Sequence, residues 1–248
     1  MSKITMFQYL DFETIGNCNR RCVTCIRNSH PDKTKTASWF SGDLLSMDVI
    51  KAALDECRNG GFTGGVCLSH YNEPLMDDRI ADIAKLVKSY NQFSSIFLNT
   101  NGDFLSEELA KSLDGVLDHI IVSLYMDEPA SVKRAAWITS LFKQTRPVID
   151  VMGKHIATHF SPSFDVKALS EEYRGYPCHE PKTRVVINHR RQFLLCCDDV
   201  IGNFDLGRFP DITIGEYWLG KKHRRLVEDL ERPGGRYLYD YCKVCPKT

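Results

Sequence analysis

Along the first two-thirds of the chain, the spacing of apolar residues switches back and forth between two periods. The segment ITMFQYLDFETI, residues 4–15, is dense in β-branched and aromatic side chains and reads as a strand. SMDVIKAALDECRNGG then repeats apolar residues at helical spacing: Ile50, Ala53, Leu54 and Cys57 share one face, Ser46 is the N-cap and Gly60 the stop. GGVCLSHY predicts a short buried strand. DDRIADIAKLVKSY predicts a helix with Ile80, Ile83, Ala84 and Val87 inward, and SSIFLNTNG a strand running into a turn. SEELAKSL is a capped helix, DHIIVSLY a strand, and PASVKRAAWITSLFK a helix opened by Pro129. PVIDVM and HIATHF are further predicted strands. Strand–helix alternation of this kind builds a parallel sheet with helices outside. Five or six such units predict an α/β fold, a partial (β/α) barrel rather than a closed one of eight.

After about residue 165 the pattern changes. TRVVIN and QFLLCC, joined by HRR, predict a β-hairpin, and TIGEYWLGKKHRRLVEDLERPGG predicts one helix. Cysteines at 178, 196, 197, 242 and 245 bracket this region. The chain therefore divides into a barrel over residues 1–165 and a module over 166–248, which is too small for a large core of its own and suited to being held by metal.

Composition narrows the function. The 248 residues carry 32 Lys and Arg against 32 Asp and Glu, so the net charge is zero and no excess cation points to nucleic acid. No apolar run is long enough for a membrane span, and MSKITMFQYLDF lacks the apolar core of a signal peptide, so a cytoplasmic location is expected. In a reducing compartment, 10 cysteines point to metal ligation or redox chemistry rather than disulfides.

Three of them, Cys18, Cys22 and Cys25, fall in CNRRCVTC directly after the first strand. Thiolates are the usual ligands of iron–sulfur clusters, and three of them leave one iron of a 4Fe-4S cubane open to a small chelating ligand. The competing reading is a zinc site completed by His30.

C-x3-C-x2-C at this place in a βα-repeat chain resembles the radical S-adenosylmethionine (SAM) superfamily. HYNEP, residues 70–74, resembles that family's GGEP segment, and the resemblance implies that Asn72 and Glu73 receive the SAM amino group. It likewise implies Asn99 and Asn101, in NTNG, near the SAM ribose, and Ser123 and Arg134 on the SAM carboxylate. The aromatic residue usual before the third cysteine is Thr24 here; Ile26 and Phe97 are the candidates for that space. Cys178, Cys196, Cys242 and Cys245, with the hairpin and the closing CKVC, resemble the SPASM/twitch subgroup in its shortened form. That resemblance implies an auxiliary 4Fe-4S cluster with four cysteine ligands, and zinc again competes. Cys196 and Cys197 contend for one ligand position. Cys196 aligns with the family's strand cysteine, which leaves Cys197 either buried and inert or facing substrate as a hydrogen-atom donor.

The likeness extends over most of the chain to twitch enzymes that oxidise an aminocyclitol, and there it implies Tyr71 and Asp198 near the substrate. The arginine expected upstream of Cys178 as proton acceptor is missing, which leaves His159 or Asp165. The expected function is reductive cleavage of SAM and removal of a hydrogen atom from a small hydroxylated substrate, oxidising an alcohol to a ketone. Epimerisation through Cys197 and modification of a ribosomal peptide are the alternatives, with a non-catalytic zinc or iron–sulfur protein behind them. A flavodoxin- or ferredoxin-type electron donor is implied as partner.

Overall fold

The computed structural model describes residues 7–22, 25, 40–152, 175–200, 202–243 and 245. In chain order the elements that matter are β1 (Tyr9–Phe12), α1 (Met47–Asn59), β2 (Gly65–Cys67), α2 (Ile80–Ser89), β3 (Ser95–Thr100), α3 (Glu107–Leu113) and β4 (His119–Leu124). They are followed by α4 (Glu128–Leu141), β5 (Arg146–Val151), β6 (Arg184–Ile187), β7 (Phe193–Leu194), α5 (Ile214–Leu219), α6 (Lys221–Leu230) and α7 (Asp240–Lys243). The strands form one seven-stranded sheet in the order β5-β4-β3-β2-β1-β6-β7. Every pairing is parallel except the β6–β7 hairpin, where Val186 faces Leu194. The sheet is open, as a partial barrel requires. The expected strand HIATHF and the expected boundary near residue 165 lie outside the described residues.

The helices form where the pattern places them because their ends are capped. Ser46 and Ser106 accept from the backbone N–H groups of Val49 and Leu109, and the inward faces of α1 and α2 are the eight predicted residues. One expectation fails: the C-terminal helix is two helices, α5 and α6, that meet at Gly220 in an extended conformation (φ −59°, ψ 143°). A Cβ there would sit 2.7 Å from the Glu216 carbonyl oxygen, so the corner needs glycine. The apolar spacing gave no sign of the break, because both helices bury the same kind of face.

The hairpin does more than the sequence indicated. β6 pairs with β1 over four residues, Tyr9–Phe12 against Arg184–Ile187, so the C-terminal segment extends the parallel sheet. It is also clamped to α1: Glu56 accepts from the Ile214 and Gly215 N–H groups at 3.1 and 2.9 Å, and Trp218 packs edge-on against Phe7.

Strands covered on both faces in a parallel sheet ordinarily read as unbroken apolar runs. Here they alternate. In β3 and β4 the residues Ile96, Leu98, Ile120, Val122 and Leu124 are buried under the helices, whereas Phe97, Asn99, His119 and Ser123 turn to the other face. That second face lines a cavity of about 780 Å³, within the size range of small-molecule sites. No helix among the described residues is long and apolar enough to cross a membrane.

Candidate active site

The cavity runs along the sheet face from the strand starts at Tyr9, Ser95 and Arg184 to the C-terminal ends, where parallel barrels place their chemistry. Cys18, Cys22 and Cys25 all line it. Their loop leaves β1 and is anchored to the end of β3 by a polar network. Asp103 accepts from Arg20 Nε at 2.7 Å, Arg20 Nη2 at 2.6 Å and Asn19 Nδ2 at 2.7 Å. Asn101 Nδ2 donates to Asn19 Oδ1 at 2.8 Å and lies 3.9 Å from Cys18 Sγ. The Arg20 hydrogen bonds hold the Asp103 carboxyl below its ordinary range. Asn17 is half-buried, its Oδ1 accepting from the Cys18 backbone N–H at 2.9 Å. Burial pushes the Cys18 and Cys22 thiols up, and the neighbouring cysteines add to the shift.

Glu73 stands on the turn before the short 3-10 helix Pro74–Met76. Its Oε1 accepts from Leu75 N–H at 3.0 Å and Thr100 Oγ1 at 2.6 Å, and its Oε2 from Asn101 N–H at 2.7 Å. The Glu73 N–H in turn donates to the Asn17 carbonyl at 2.8 Å. One buried carboxylate therefore ties the HYNEP turn, the end of β3 and the cysteine loop together, and burial raises its pKa. Asn72 orders the same turn, accepting from His70 N–H at 2.8 Å. Asn99 donates to Ser69 Oγ at 3.1 Å and faces the cavity beside Ser123, which sits opposite Asp150 across β4 and β5.

Arg134 is the predicted residue that the structure keeps apart. It does not line the cavity; its Nη2 donates to the Gly102 carbonyl at 2.7 Å, and its guanidinium lies 4.0 Å over the Trp137 ring. Its position on α4 directs it under the Asn101–Gly102 turn, where it braces the backbone. His159, Asp165, Thr24, Ile26 and His30 lie outside the described residues. Phe97 lines the cavity one row below Asn99, stacked on His119 with centroids 5.0 Å apart.

The opposite wall comes from the C-terminal segment. Tyr71 donates to Asp198 Oδ1 at 3.1 Å, joining residues 127 positions apart. Burial, reinforced by Asp198, raises the Tyr71 phenol well above its usual range, so it remains a donor. Tyr241 donates to the Asp198 carbonyl. Cys197 faces the cavity, its Sγ 3.5 Å from Glu180 Oε2, whereas Cys196 turns away into a second, small cavity with Cys178, Cys242 and Cys245. The two adjacent thiols, in the turn that follows β7, thus line different cavities.

Among the described residues no three His, Cys, Asp or Glu side chains are gathered closely enough to hold a single metal ion. The donor sets nonetheless suit iron–sulfur groups. Three soft sulfur donors face one cavity, and four more surround the small one beside Arg236, a cation with only 1% exposure. A buried guanidinium needs negative charge next to it, and a thiolate-ligated cluster supplies that. Arg236 draws the Cys178 and Cys242 thiols down against the larger opposing effect of burial. Sequence reasoning missed Arg236, Arg20, Asp103, Asp11 and Arg184. Asp11 alone gave a signal, as a charge set between Leu10 and Phe12 in a strand.

Comparison with known proteins identifies the family and the fold. The family model described as the radical SAM superfamily matches residues 12–160. A GTP 3′,8-cyclase of Clostridium perfringens is 28% identical over 122 residues, 47% of this chain and 34% of that protein, so the chain matches about a third of the length of such cyclases. An S-adenosyl-L-methionine-dependent 2-deoxy-scyllo-inosamine dehydrogenase of Niallia circulans is 21% identical over 245 residues, 97% of this chain and 93% of the relative. Among solved structures, BtrN in complex with AdoMet and 2-DOIA superposes with a TM-score of 0.76 at 19% identity, covering 100% of this chain and 95% of that one. Native anSMEcpe with bound AdoMet gives 0.65 at 15% identity, covering 96% and 87%. At these identities the two structures show a shared fold.

Proposed function

The chain belongs to the radical SAM superfamily, and from that premise we propose that it oxidises an alcohol of a small polyhydroxylated substrate, of the aminocyclitol or sugar type, to a ketone. The observation that carries this reading is the single cavity lined at once by the three-cysteine loop, the Glu73 turn and the Tyr71, Asp198 and Cys197 wall. The near full-length likeness to an aminocyclitol dehydrogenase supports the reaction type. When bound, a cluster on Cys18, Cys22 and Cys25 together with SAM would supply the radical chemistry that removes a hydrogen atom from a substrate carbon, an auxiliary cluster on Cys178, Cys196, Cys242 and Cys245 would accept the electron, and the hydroxyl proton would pass to a base, for which His159 is the proposed candidate.

The protein's own part is placement and exclusion of water. Glu73 holds the HYNEP turn and β3 against the cysteine loop, so Asn72, Asn99, Asn101 and Ser123 present their polar groups to the same cavity, Asn99 one row below Asn101. Those four side chains are the proposed SAM contacts, with the Glu73 turn as their frame. Arg134 supports the Asn101 turn from behind through Gly102. Tyr71, kept protonated and aligned by Asp198, offers a fixed donor to a substrate oxygen, and Asp198 offers an acceptor. An electron donor of the flavodoxin or ferredoxin type serves the cysteine loop.

A second reading, epimerisation, draws support from the Cys197 thiol on the cavity wall. The test uses anaerobically reconstituted protein with SAM, dithionite and 2-deoxy-scyllo-inosamine deuterated at the reacting carbon. Deuterium appearing in 5′-deoxyadenosine together with a ketone product supports oxidation. Deuterium transfer with an inverted alcohol, abolished in Cys197→Ala, supports epimerisation. No transfer from this compound or from related polyols contradicts the substrate class.

A further inference from the structure

Deep in the cavity, one row below Asn99, lie two charged side chains that none of the roles above uses. The register places Asp11 level with Cys67, Phe97 and His119. Asn101, just past the end of β3, is four chain steps beyond Phe97, so this row is about 13 Å from the level where Asn101 meets the cysteine loop. Arg184, at the start of β6, reaches the same row: its Nη1 donates to Asp11 Oδ2 at 2.7 Å. Both residues line the cavity.

Each keeps one polar atom without a hydrogen bond. Asp11 is 2% exposed, and its Oδ1 is buried with no hydrogen-bond partner. Arg184 Nε is likewise buried without a hydrogen bond, although it forms an ion pair with Glu180 Oε2 at 3.5 Å. Buried polar atoms are almost always hydrogen-bonded, and an acceptor beside a donor, each without such a bond, calls for a group that both gives and receives. An ammonium would meet the Arg184 cation, and a carboxylate would meet the Asp11 anion. A hydroxyl offends neither.

We infer that Asp11 and Arg184 form a hydroxyl-reading subsite at the deep end of the cavity, Asp11 Oδ1 accepting the hydroxyl proton and Arg184 Nε donating to its oxygen. The inference rests on the proposed function for the claim that the cavity receives a polyhydroxylated molecule. It adds which groups recognise that molecule's far side, away from the cysteine loop. Glu180 links the subsite to the thiol wall, since its Oε2 lies 3.5 Å from both Arg184 Nε and Cys197 Sγ. A hydroxyl held there fixes which face of the substrate ring lies toward Cys197.

The test is anaerobic calorimetry on the SAM-loaded protein, with 2-deoxy-scyllo-inosamine and its mono-deoxy analogues as probes. The wild type is expected to bind the parent compound and to lose about tenfold or more for one particular deoxy analogue. Asp11→Asn keeps the shape of the side chain and is expected to weaken the parent by a similar factor while no longer distinguishing that analogue. Arg184→Gln serves as the second variant, with the same loss of discrimination. Equal weakening across all analogues by either variant would mark a structural role and overturn the subsite. Unchanged affinity in Asp11→Asn, or a wild type that binds none of the series, overturns it too. Release of 5′-deoxyadenosine from the same preparations without added probe tests the radical SAM reading separately, because neither variant touches that machinery.

Discussion

At the scale of single residues, the buried polar groups make the sharpest predictions. Burial pushes the Asp11 carboxyl up to about 6, against the opposing pull of Arg184, with Glu180 adding slightly to the rise. A raised carboxylate pKa means that the folded state holds a proton that the unfolded state has released. The stability from this group is therefore complete below the ordinary carboxylate range and lost as pH climbs through 6. The full effect is about 3 kcal/mol, of which about 1 kcal/mol falls between pH 5 and pH 7. Asp11→Asn should lack this component, so the stability gap between variant and wild type in urea should shift in the variant's favour from pH 5 to pH 7. A gap that does not move with pH contradicts the buried carboxyl. Tyr71 and Asp198 act as a unit, so Tyr71→Phe and Asp198→Asn should each weaken polyol binding, and the double variant should lose less than the sum by about 1 kcal/mol. Strict additivity in calorimetry would separate the two roles. Sequence reasoning found Tyr71 and Asp198 through family resemblance. Local pattern could not reveal their contact, because 127 positions separate them.

Elements were easier to read than their junctions. Ser46, Ser106 and the inward faces of α1 and α2 follow from local chemistry, since a cap and a helical stripe are both encoded within a few residues. The α5–α6 corner and the pairing of β6 with β1 are tertiary facts: a glycine inside an apolar pattern states neither where the chain bends nor which strand will accept an edge. Gly235 is a stronger case than Gly220. It follows Gly234, whose φ of +76° turns the chain, and a Cβ on Gly235 would overlap the Asp229 carbonyl oxygen, which is backbone and cannot yield cheaply. Gly235→Ala is expected to destabilise the C-terminal segment by more than about 2 kcal/mol and to lower its iron content, read by denaturation and iron analysis. Full iron and unchanged stability would contradict the close approach. Removing the Glu56 clamp should be milder. Glu56→Ala leaves two N–H groups of α5 without their acceptor and should cost about 1 kcal/mol.

For the molecule as a whole, the turn after β7 stands between two sets of thiols: Cys197 lines the large cavity, Cys196 the small one, and Asp198 borders both. The partial barrel was legible because its alternation is periodic. The division of neighbouring cysteines was expected from the resemblance, which set Cys196 as ligand and left Cys197 either buried or facing substrate, and Arg236 was not legible at all, since a surface-looking GGRY gives no hint of a buried guanidinium. A cation beside four sulfurs favours the more negative, reduced state of any cluster that they hold. Arg236→Met should therefore lower the reduction potential of the C-terminal centre in an EPR-monitored titration, and an unmoved potential would place Arg236 outside its field. The central claim concerns the other set of thiols, at the amino end. The most direct measurement is 5′-deoxyadenosine released from SAM by anaerobically reconstituted, dithionite-reduced protein, set beside a variant with Cys18, Cys22 and Cys25 replaced by alanine. The account predicts release from the wild type and none above background from the triple variant; an iron-loaded wild type that releases none, or a triple variant that releases as much, contradicts it.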